Sequence, residues 1–186
     1  MARRVRRLAV VVVLVLVAGA VALVLTTRPQ LDDRRDDVDR AWTPLRAPLA
    51  GRYDLLATVN GEATTAGAGD RSVTRELGLA LARWDRLRRA PDSDADDDAE
   101  ATTANQLEGL AARLQAVVLS SDRLRGVDTL NQAIANFQGT APLLAPAIKT
   151  YNDAVQDYED TRTSFVRRPI ADPLGYDSRP QLLLPG

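Results

Sequence analysis

The chain has 186 residues, 24 basic and 25 acidic, and contains neither cysteine nor histidine. That composition excludes disulfides, thiolate nucleophiles, cysteine or histidine metal sets, and serine–histidine or cysteine–histidine catalytic pairs. The length fits one domain plus an appendage, and any catalysis would rest on carboxylates alone, so no enzyme activity and no cofactor are expected.

The N-terminus is basic. Arg3, Arg4, Arg6, Arg7 and Arg28 are the only charged side chains in residues 1–30, which leaves 19 basic against 25 acidic residues beyond, a net of −6. An acidic remainder argues against nucleic acid as a partner, because such binding needs a basic face. From Leu8 to Thr27 no residue is charged. As a helix this stretch would measure roughly 30 Å, the thickness of a bilayer's hydrocarbon core. The sequence therefore predicts a single transmembrane helix over 8–27 with the bilayer as its partner. The arginine excess before it predicts a cytoplasmic stretch over 1–7, and a domain held outside the cytoplasm at the cell membrane. A cleaved signal peptide, with Ala18-Gly19-Ala20 as its small-residue site, is the competing reading.

Residues 31–166 read as a helical bundle. Val38, Trp42, Leu45, Leu49, Leu56 and Val59 mark a first amphipathic stripe, with Pro44, Pro48 and Gly51 expected to kink or interrupt it. Gly61–Asp70 reads as a flexible loop. Val73, Leu77, Ala80, Trp84 and Leu87 mark a second helix, capped by Asp70 or Ser72 and stopped by Pro91. Pro91–Glu100 is acidic. Asp92, Asp94 and Asp96 have the opening spacing of a calcium loop, but Asp97 stands where glycine is needed and Thr103 where a glutamate is needed. A solvated linker over 91–100 is the better reading, with no metal site. Leu107, Leu110, Leu114, Val117 and Leu124 mark a third helix, with Thr103 and Gln106 in capping-box spacing.

The most regular pattern comes last. Leu130, Phe137, Leu144, Tyr151, Tyr158 and Phe165 recur every seven residues, and Ile134, Ala141, Ile148 and Val155 interleave. This coiled-coil-like seam predicts one long helix, with Pro142 and Pro146 as interruptions. Four antiparallel helices bury such stripes economically. The same helices pair between chains as readily as within one, so a homo-oligomer stays open. Residues 167–186 form a proline-rich tail, in which Tyr176, Arg179, Leu182, Leu183 and Leu184 are the candidate contacts to a protein partner. The competing reading has the tail covering a groove or open end of the bundle.

Several residues together resemble the LemA family. They are Val38–Trp42 (VDRAW), Arg52-Tyr53-Asp54-Leu55, Asn105-Gln106-Leu107, and Gly139-Thr140 eleven residues before Tyr151-Asn152-Asp153-Ala154-Val155. Phe165, Ile170-Ala171, Leu174-Gly175-Tyr176 and Arg179-Pro180 continue the pattern. The resemblance implies a membrane-anchored antiparallel bundle that shares its core with a short C-terminal tail, and it implies no catalytic residues. Ala141, Pro142 and Leu143 depart from it, standing where charged residues are usual. The expected function is a non-enzymatic scaffold or interaction module of the bacterial envelope. The alternative is an envelope sensor, a bundle that binds a ligand or cation.

Overall fold

A computed structural model describes the backbone of residues 2–69, 71–89, 94–164, 171 and 174–183. Within these, side chains 2–24, 26 and 94–96 lie outside the description. The described residues are helical, with no strand among them. Helix α1 covers Ala2–Ala63 and continues into a π-helical turn, Thr64–Ala68. Then come α2 (Ser72–Leu87), α3 (Asp94–Leu119), the single turn α4 (Asp122–Arg125), α5 (Asp128–Gln138) and α6 (Ala141–Thr163).

The membrane assignment is corrected here. Among the described residues no helix is long and apolar enough to cross a membrane. Most side chains of Leu8–Thr27 lie outside the description. At its described end, Thr27 is buried by the protein itself, as is Leu31 one turn on. Among the described residues the fold is an all-α bundle, and the expected transmembrane helix is not found there. The single-pass placement in the cell membrane, with the bundle outside the cytoplasm, is not supported by any helix among the described residues.

The prolines behave differently from expectation. The helical run α1 passes Pro44, Pro48 and Gly51 without a break. Both prolines lie on the exposed side, one turn apart, so water can take the carbonyls of Arg40 and Pro44 that lose their N–H partners. On the opposite side Val38, Trp42, Leu45, Leu49, Tyr53, Leu56 and Val59 are all at most 2% exposed. Burial on that scale holds the helix against two local defects. The flexible loop expected over 61–70 shrinks in the same way. Only Gly67 there needs a left-handed backbone, at φ +92°, where the Arg123 side chain crowds the space of a Cβ.

The long last helix does divide. Pro142 cannot donate, and it falls in the first turn of α6, where a missing N–H is harmless. Chain ends at Gly139 and Thr140 are closed by short bonds, Gly139 N–H to Ala135 O at 2.9 Å and Thr140 N–H to Phe137 O at 3.2 Å. The heptad seam survives the break: Leu130, Phe137, Leu144, Tyr151 and Tyr158 are buried on either side of it. Phe165 and Leu184 lie outside the described residues.

The acidic stretch also differs. It enters α3 at Asp94, and an acidic first turn suits the positive end of a helix. Glu100, Thr103, Ala104, Leu107, Leu110, Ala111 and Leu114 are buried, so α3 starts two turns earlier than Thr103 suggested. Asp97 and Asp98 are half-buried, unlike a solvated linker.

The chain forms two compact units. The first comprises Met1–Asp37 and Gln156–Ser178. In it Tyr158 Oη donates to Asp177 O at 2.8 Å, Tyr176 Oη donates to the Asp32 carboxylate, and Leu31 and Ala171 are buried. The second comprises Val38–Val155 and Arg179–Gly186 and holds the main bundle. There Tyr53 of α1 meets Trp84 of α2 edge-on at 4.8 Å, and Trp42 of α1 meets Tyr151 of α6 at 5.1 Å. Helix α2 packs on α3.

Candidate functional site

The second unit contains two layers in which an arginine is almost fully buried. The inner one begins with Arg52 on α1, at 2% side-chain exposure, facing Glu108 on α3 at 3%. Its Nε and Nη2 both donate to that carboxylate, each at 2.7 Å. Nη1 donates to Phe137 O at 2.9 Å and to Thr140 Oγ1 at 2.6 Å. The junction between α5 and α6 supplies those last two acceptors, and the Phe137 carbonyl is shared there with the Thr140 N–H and hydroxyl. The guanidinium also lies 3.9 Å from the Phe137 ring centroid. Burial, followed by the Glu108 charge, raises the neighbouring Tyr53 hydroxyl well above its usual value, so it stays protonated.

A cavity of about 220 Å³ opens beside this layer, walled by Arg52, Glu108, Phe137, Gln115, Gln138 and small alanines. Drug-sized ligand pockets are larger, about 300–1,000 Å³. Its charged walls are already satisfied by one another, and this marks it as a packing gap beside a structural ion pair.

The outer layer is where the C-terminal tail meets the bundle. On α1 and α3, Trp42 Nε1 and Arg46 Nε both donate to Glu100 Oε2, at 2.9 and 3.3 Å, and Arg46 also pairs with Asp97. Burial raises the Asp97 carboxyl from 3.8 to about 6, overriding the opposing Arg46 charge, and Glu100 and Asp39 push the same way. Arg179 enters beside them at 3% side-chain exposure. It donates to Asp39 of α1 at 2.9 Å and to Asp98 of α3 at 2.8 Å.

Beyond Arg179 the tail runs extended and is held by its backbone. Tyr151 Oη donates to Pro180 O at 2.8 Å. Asn152 of α6 donates to Leu182 O at 2.9 Å and accepts from Leu182 N–H at 2.8 Å. Asn105 of α3 donates to Gln181 O at 2.7 Å and accepts from Leu183 N–H at 2.8 Å. The four main-chain groups around Leu182 are thus bonded from two helices, much as in an interior strand. Burial raises the Tyr151 hydroxyl, so it acts as a donor throughout the accessible pH range.

The five tail residues singled out from the sequence separate in the structure. Tyr176 is buried in the first unit. Arg179 and Leu182 are buried in the second, while Leu183 beside them is 69% exposed. Leu184 lies outside the described residues. Arg179 and Leu182 therefore face the bundle, and Leu183 faces outward. Sequence reading missed the receiving side: Asp39, Asp98, Asn105, Tyr151 and Asn152. Asn105 and Asn152 sit inside two of the LemA-like segments, which was the available signal.

Among the described residues no group of acidic side chains is placed to hold a metal ion. The Asp92, Asp94 and Asp96 side chains are outside the description. No family model matches the chain, and no curated protein is significantly similar to it.

Proposed function

We propose that the chain is a non-enzymatic interaction module, a LemA-like helical bundle that holds a protein partner. The observation that carries this reading is the saturation of its reactive side chains by one another. Arg52 spends four N–H bonds on Glu108, Phe137 and Thr140, and Arg179 is committed to Asp39 and Asp98. Asp97 lies beside Glu100, but both carboxylates are tied to Arg46, which a substrate would have to displace. With histidine and cysteine absent from the sequence, little remains to drive a reaction.

The surface supports the same reading. Leu79, Leu119 and Leu143 are 69–79% exposed, apolar side chains available to a partner at the surface. The test is a photoreactive residue at each of Leu79, Leu119, Leu143 and Leu183 in the full chain, expressed in its own cells. Discrete adducts that depend on position are expected. Absence of any adduct at all four positions would overturn the proposal.

A further inference from the structure

The way the tail is held describes a receptor as well as a ligand. The groove between α1, α3 and α6 grips Leu182 through backbone groups that every residue possesses, so that part of the recognition is blind to sequence. Selectivity comes from two inward side chains. Arg179 fits between two carboxylates from different helices, and Leu182, three residues on, is 4% exposed. The side chains of Gln181 and Leu183 are exposed, and only their main-chain groups are held. Pro180 contributes a fixed φ and a carbonyl, which Tyr151 takes.

From this geometry we infer that the groove is a recognition site for an extended peptide segment of a partner protein carrying Arg-Pro-x-Leu, and that the chain's own tail fills it in cis. The inference rests on the interaction-module reading and names the chemistry of the partner. A segment of that pattern satisfies the Asp39/Asp98 pair, the Tyr151 hydroxyl and both asparagine amides at once. An acidic residue at the arginine position would be repelled by both aspartates. A tethered tail competes at an effective concentration on the order of millimolar, so the groove opens to a partner only when the tail is displaced. Two-point capture by asparagine amides is also strict about backbone geometry: a helical segment offers no free N–H and C=O pairs and would not fit.

The experiment uses the full chain with Arg179→Glu and Leu182→Asp, which frees the tail, and a fluorescein-labelled peptide SRPQLLL matching residues 178–184. Anisotropy should show at least tenfold tighter binding to this variant than to the unmodified chain. Replacing the peptide's arginine by glutamate, or adding Asn152→Ala to the chain, should each cost tenfold or more. A variant with unchanged helical circular dichroism that fails to bind at millimolar peptide overturns the inference. If the variant loses its helicity, the unmodified chain decides. Excess peptide should then speed hydrogen exchange at the Leu182 and Leu183 amides while bundle amides stay protected, and no change overturns the inference equally. A concentration-dependent dimer of the unmodified chain that the peptide dissociates would assign the groove to a second copy and reject a separate partner. Position-specific adducts at the exposed leucines without peptide binding would leave the interaction module standing and remove only this assignment.

Discussion

The two buried arginines of the main bundle are alike in burial and opposite in attachment. Arg52 projects from the C-terminal part of α1 and meets Glu108 on α3, two helices that share a buried core. Arg179 lies on a segment outside any helix and reaches Asp39 and Asp98, which are 27% and 31% exposed. The inner pair can break only if the bundle opens. The outer one can release by moving a few residues of chain. Equal burial therefore does not mean equal permanence; the stiffness of the element carrying the charge decides it.

Substitutions sharpen that contrast. Arg52→Ala leaves the Glu108 carboxylate buried and unpaired, and should lower the unfolding free energy by about 3–5 kcal/mol in urea titration. Replacing both partners, Arg52→Met with Glu108→Leu, should recover most of that loss, because the desolvation of both charges goes with them. If the double variant were as unstable as the single one, the pair would be contributing net stability through its geometry. Arg179→Ala should cost less, about 2 kcal/mol, since its carboxylate partners reach water. Its signature should be local: faster hydrogen exchange at Leu182 and Leu183 without faster exchange in α3. Uniform loss across the bundle would erase the distinction between the two layers.

Acidity separates them further. The folded chain holds the Asp97 proton more tightly than the unfolded chain does, with the carboxyl raised to about 6. The cost of burying that charge is fully present above pH 6 and is relieved as pH falls from 6 toward 4. Melting temperatures of the unmodified chain and Asp97→Asn should therefore differ at pH 7, the variant higher by on the order of 2 °C, and converge near pH 4. A constant difference across that window would remove Asp97 as the source. The smallest effect belongs to the Lys149–Asp153 pair, exposed at 75% and 64%, where Lys149→Ala should change stability by less than about 0.5 kcal/mol.

Much of this was written in the sequence, and the omissions have a common cause. The hydrophobic seams named the buried faces of all the main helices, because burial repeats with the helical period. The same seam carried a signal that went unread. Along α1 the buried positions 38, 42, 45, 49, 53, 56 and 59 step by four and three, and Arg52 beside Tyr53 is also spaced three and four from Leu49 and Leu56. A charged residue in a seam slot is a buried charge in need of a partner, and Glu100 continues the α3 seam in the same way. The prolines misled in α1 because a local defect was weighed without the burial opposing it, and were informative at Pro142, where a helix does restart. The tail's seat was legible only through the family-like segments that carry Asn105 and Asn152, not through any local pattern. Asn105 and Gln181 are 76 residues apart, and nothing local in either reports the other.

The second unit also has a built-in optical readout of the tail. It holds both tryptophans of the chain. Trp42 packs at a tilt against Tyr151 and donates to Glu100 beside the tail, whereas Trp84 lies against Tyr53 with its indole N–H buried and without an acceptor. An indole bonded to a carboxylate and one in a dry apolar site emit at different wavelengths. Displacing the tail would therefore shift only the Trp42 contribution, and a chain carrying Trp84→Phe would turn fluorescence into a direct meter of tail occupancy, with no label attached.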